Sequence, residues 1–102
     1  MKQIYKHILE ILPVQRLGLP TGSKFLSVEE QYGNIVVYTL VDFEDRLGID
    51  IGHKHAGREL FDIFVKKTGE PAYDMDNCKF LGTVKLDGGR LMFHVFYKQV
   101  KK

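Results

Sequence analysis

The sequence predicts an all-β protein: a mostly antiparallel sandwich or partly closed barrel of six or seven strands. Residues 24–42 and 79–98 each contain a pair of strand-like runs joined by a glycine-bearing reversal. β-branched and aromatic residues fill those runs, a composition suited to a pleated, packed surface. The runs that follow the reversals are apolar on both faces, as in strands covered on both sides.

The elements follow in order. "KQIYKHILEIL", residues 2–12, has apolar residues at 4, 5, 8, 9 and 12, which fits a helical stripe but equally a strand ended by Pro13. "LGLPTGS", residues 17–23, is a turn. "KFLSVEEQYGNIVVYTLVD", residues 24–42, is a hairpin that reverses at "YGN". In its second run Ile35, Val37 and Val41 point one way and Val36, Tyr38 and Leu40 the other.

"RELFDIFVKKTGEP", residues 58–71, carries two conflicting signals. Leu60, Phe61, Phe64 and Val65 share a helical face, and lysines followed by Gly69 and Pro71 resemble a helix end. Phe61, Ile63 and Val65 also alternate as a strand would. A short helix near residues 56–68, which would make the fold α+β, therefore stays open. "KFLGTVKLDGGRLMFHVFYK", residues 79–98, is a second hairpin reversing at "DGG", where glycine adopts positive φ without steric cost. Its last run sets Leu91, Phe93, Val95 and Tyr97 against Met92, His94 and Phe96.

The 102 residues form a single domain, residues 1–102, with one modest core. Hydrophobic residues are 44% and charged residues 27%, an ordinary globular balance. The net charge of +2 does not indicate nucleic acid as a partner. Cys78 is the single cysteine, so no intrachain disulfide forms. No apolar run approaches the roughly 20 residues of a membrane helix, and no leader-like cleavage site follows the first residues. An intracellular protein, cytoplasmic and not bound to a membrane, is the expectation.

The motifs carry a resemblance. Ile4-Tyr5-Lys6 opens the chain. Pro20, Gly22, Leu26, Ser27 and Val28 lead into the first hairpin, and Leu40-Val41-Asp42 ends it. Gly82-Thr83, Gly88-Gly89, Leu91 and Phe93-His94-Val95-Phe96 close the chain. The pattern resembles a family of small proteins encoded largely in phages and prophages, a domain of unknown function. The resemblance implies a mostly strand fold. It also implies a shorter link after "LVD", so that residues 43–58 read as an extra loop.

"GHKHAGRELF", residues 52–61, begins in that loop with "GHKHAG" and sets His53, His55 and Glu59 in the spacing of half a cupin metal site. The second half is missing, because "DGGRLMFH" supplies His94 at the wrong interval. These three are weak metal candidates, and neither metal nor other cofactor is expected. As a binding surface the loop is better placed: Arg46, His53, Lys54, His55 and Arg58 suit an anionic partner. His94, Phe96, Tyr97 and Lys98 form a second candidate group, a pocket or a subunit interface, while Phe93, Phe96 and Tyr97 beside Lys98 also suit base stacking. The chain contains no phosphate loop, nucleophile elbow or dinucleotide fingerprint. The expected function is non-enzymatic: occupying or inhibiting a host (defence) protein. The alternatives are an oligomeric sponge for a nucleotide-type anionic small ligand and a small cupin-like metal protein. A strand apolar on both faces in so short a chain also implies a homo-oligomer.

Overall fold

In a computed structural model, residues 2–42 and 57–100 are described. They form β1 (Lys2–Leu9), β2 (Val14–Pro20), β3 (Lys24–Gln31), β4 (Asn34–Asp42), β5 (Arg58–Lys67), β6 (Lys79–Leu86) and β7 (Leu91–Gln99). Two short 3-10 turns, Tyr73–Met75 and Asp87–Gly89, complete the elements. All pairings are antiparallel: one sheet has the order β1-β4-β3 and the other β2-β5-β7-β6. The architecture is thus a two-sheet sandwich rather than a closed barrel. Among the described residues no helix is long and apolar enough to cross a membrane.

The reversals account for the local connections. Between β3 and β4 the two-residue loop is Tyr32-Gly33, with φ of 52° and 82°. Positive φ at both positions defines the hairpin turn whose twist matches the strands it joins. Between β6 and β7, Asp87, Gly88 and Gly89 all have positive φ, at 53°, 66° and 92°. Pro13 stands between β1 and β2, where the side chain of Gln15 both accepts from the Glu10 N–H (3.0 Å) and donates to the Glu10 carbonyl (2.6 Å).

Both two-way segments resolve as strand. The short helix left open near residues 56–68 does not form over residues 58–67. β5 lies between β2 and β7, so its backbone is paired on both sides, and the alternating Phe61, Ile63 and Val65 all point into the core. The tertiary ladder overrides the local helical stripe. The lysines and Gly69 that mimic a helix end form a turn after β5, Gly69 having φ of 96°.

The core lies between the sheets. Leu9, Val28, Ile35 and Val37 of the three-stranded sheet meet Leu19, Phe61, Ile63, Val65, Val84, Phe93 and Val95 of the other. At one end Phe25 crosses the gap to pack edge-on against Phe61 (ring centroids 5.1 Å) and obliquely against Tyr97 (4.2 Å). Thr39 is the fully buried polar side chain of the described core. Its hydroxyl is hydrogen-bonded to His7 Nε2 at 3.1 Å, which removes the penalty of an unpaired buried group. The sheets close on each other along β3 and β6, where a Cβ on Gly82 would lie 2.7 Å from Val28 Cγ1. Both of these strands are bulged, at Phe25/Ser27 and at Phe80/Gly82.

Candidate binding face

The outer face of the four-stranded sheet follows from strand parity. β5 turns Phe61, Ile63 and Val65 inward, so Leu60, Asp62, Phe64 and Lys66 face out. In β7 the same rule puts Phe93, Val95 and Tyr97 inside and His94, Phe96 and Lys98 outside. Register then aligns the outer residues in rows. Val14 pairs with Phe64, Phe64 with Phe96, and Phe96 with Phe80. The result is an apolar row across all four strands. Phe80 and Phe96 have ring centroids 5.3 Å apart. Phe80 is 57% exposed and Val14 49%, large values for apolar side chains of this size.

Polar rows border this strip. On one side lie Arg16, Asp62 and Lys98, with Arg16 Nε 3.1 Å from Asp62 Oδ1. On the other lie Lys66, His94 and Thr83. Lys66 Nζ lies 3.4 Å from Asp74 Oδ2. His94 is held at both ring nitrogens: Nε2 is 2.7 Å from Thr68 Oγ1 and Nδ1 is 3.0 Å from Thr83 Oγ1. An aromatic centre with a charged, hydrogen-bonded rim is the usual make-up of a protein-binding patch.

The expected groups are redistributed. His94, Phe96 and Lys98 share this outer face, but Tyr97 does not: it packs inside against Phe25 and Phe61. Phe93 is buried as well, so the stacking group of Phe93, Phe96 and Tyr97 is split between two faces. Phe64, Phe80 and Val14 replace the lost members. The alternation in "LFDIFV" was the signal for Phe64, but nothing short of the register shows that Phe80 and Val14 join it.

Of the loop candidates, Arg46, His53, Lys54 and His55 lie outside the described residues. Arg58 is the first residue of β5, exposed, and donates from Nη2 to the Gly18 carbonyl at 2.6 Å. Glu59, the carboxylate of the metal reading, accepts from the Gly22 N–H through Oε1 and from Gln99 Nε2 through Oε2, both at 3.2 Å. Both of its oxygens thus brace the fold. Among the described residues no cluster of three or more His, Cys, Asp or Glu is placed to hold a metal.

His7, on β1, sits inside near the open edge of the sandwich. Burial lowers its pKa below the ordinary 6.5, and the positive charge of Arg58 lowers it further. A cavity of about 300 Å³ lies at one end of the core, lined by Ile11, Leu12, Pro13, Leu91 and Phe93, with Lys67 and Glu70 also on its wall. Its lining is largely apolar, and Glu70 Oε1 is engaged by the Lys67 N–H at 2.7 Å. That chemistry does not match an anionic ligand.

The fold and this outer row define an all-β sandwich with an outward-facing apolar strip on its four-stranded sheet. The chain belongs to the family described as Domain of unknown function (DUF7352), which it matches over residues 1–102. No curated protein and no solved structure matches it.

Proposed function

We propose that the domain is a phage-type binding protein that acts by occupying a host protein, of the defence kind, inside the host cell, and not by catalysis. The observation that carries the binding reading is the row Val14–Phe64–Phe96–Phe80, apolar side chains on the outer face of the sheet, with Phe64 and Phe96 half-buried and Val14 and Phe80 exposed to water. Holding such side chains in solvent forgoes stabilisation of about 25 cal/mol per Å² of apolar surface, which docking on a partner would recover. The host setting rests on the resemblance of the hairpin motifs to small phage and prophage proteins.

The test is affinity capture from host lysate with the wild-type chain, Phe80→Asp, and a chain lacking residues 48–56, which keeps the Gly57 carbonyl that accepts from the Thr21 N–H. Wild type and the deletion should retain the same protein, and Phe80→Asp should lose it. Capture lost in the deletion but kept in Phe80→Asp would move the site to the loop. Retention of single-stranded oligonucleotide with no protein would make the row a base-stacking platform instead.

A further inference from the structure

The four sheet edges are not alike. β3 and β6 are bulged and approach each other. β2 is bracketed by Pro13 and Pro20, and proline cannot donate to a ladder. β1 has neither device. Its eight residues pair with β4 in unbroken register, and among the described residues β4 is its sole neighbour in the sheet. Ile4 and Ile8 on this edge are 61% and 62% exposed. A regular edge strand with exposed apolar side chains is a template for a further strand.

The sequence of β1 selects the further strand. We infer that β1 pairs antiparallel with β1 of a second copy, with Lys6 opposite Lys6 on the two-fold axis. In that register Ile4 faces Ile8 twice, and Lys2 lies opposite Glu10, the first residue past the end of the strand, twice. Neither Lys2 nor Glu10 has an ion-pair partner among the described residues. A slip of two residues either way sets isoleucine against lysine: Ile4 and Ile8 against Lys6 and Lys2 in one direction, Ile8 against Lys6 in the other. The two central lysines are drawn apart, because Lys6 Nζ reaches across β4 to Gln31 Oε1 at 2.7 Å, away from the free edge. Pairing joins the two three-stranded sheets into one continuous sheet, β3-β4-β1 with β1-β4-β3 of the second copy. The four-stranded sheets stay outside the contact, so this inference is independent of the proposed host-protein site.

The full chain tests it by sedimentation velocity and by cross-linking. The wild type should sediment as a dimer. In a Cys78→Ser background, Lys6→Cys should form a disulfide with its own counterpart, because directly opposed strand positions lie within disulfide reach. Arg16→Cys on β2 should not. Lys2→Glu should weaken the dimer about tenfold, and Lys2→Glu combined with Glu10→Lys should restore it. Ile8→Lys should give a monomer with an unchanged far-ultraviolet circular-dichroism spectrum, which separates loss of pairing from loss of fold. A wild-type monomer at every concentration would overturn the inference, as would a dimer in which the Lys6→Cys chains fail to cross-link.

Discussion

Val28 fills the space that any side chain on Gly82 would need. A Cβ at position 82 would lie 2.7 Å from Val28 Cγ1, closer than real carbon contacts allow. Val28 is itself a buried core residue, and its β-branched side chain has few alternative rotamers. Gly82 therefore sets how closely β3 and β6 approach. Gly82→Ala should destabilise the fold by about 1–3 kcal/mol through overpacking, read as a lower urea midpoint. Combined with Val28→Ala, the loss should be smaller than the sum of the single losses, since the two sites share one space.

The two faces of the four-stranded sheet should respond differently to the same change. Phe61, packed between Phe25 and Tyr97, should cost about 3–5 kcal/mol when replaced by alanine. Phe80→Ala should cost under about 1 kcal/mol, because that ring contacts Phe96 and otherwise faces water. Equal losses in equilibrium unfolding would show that Phe80 is a core residue, and the row would no longer be a binding face.

Stability should fall as the solution is acidified through the histidine range. The pKa of His7 is lowered in the folded chain by burial and then by Arg58, so between that lowered value and 6.5 the unfolded chain binds more protons. Stability is therefore full above about 6.5 and is lost as pH falls toward the folded value. Urea unfolding across this window should show the slope, and His7→Gln should flatten it. A slope that survives the substitution would assign the effect to another group.

Tyr32 stands in a position built for a different residue. Its φ of 52° is left-handed, its side chain is 92% exposed, and nothing in the turn needs a phenol there. Asparagine tolerates that conformation at lower cost. Tyr32→Asn should stabilise by about 1 kcal/mol, raising Tm by about 4–8 °C in calorimetry.

Much of this architecture is readable from residue order. "YGN" and "DGG" mark reversals because few residues accept positive φ, and alternation along residues 91–97 by itself separates Phe93, Val95 and Tyr97 from His94 and Phe96. Residues 58–67 were undecidable locally: leucine and phenylalanine at helical spacing coexist with phenylalanine, isoleucine and valine at strand spacing. The neighbours β2 and β7 decide the matter, and they lie far away in sequence. The same holds for the candidate face. Phe64, Phe80 and Phe96 sit 16 residues apart along the chain and become one row only through two registers, one of them shifted by the bulge at Phe80/Gly82. Parity shows which way a side chain points, but not what stands beside it.

The passage from β4 to β5 changes layers, and each end is fastened before the crossing begins. Asp42 still pairs with Lys2 in one sheet, while Arg58 pairs with Pro20 in the other and the Gly57 carbonyl accepts from the Thr21 N–H at 3.3 Å. Between two ends fixed in this way, lengthening a flexible connection costs little in general, about 0.6 kcal/mol for each doubling. Lineages could diversify that span without disturbing the frame, and a reporter or epitope spliced into it would ride on a scaffold indifferent to its cargo.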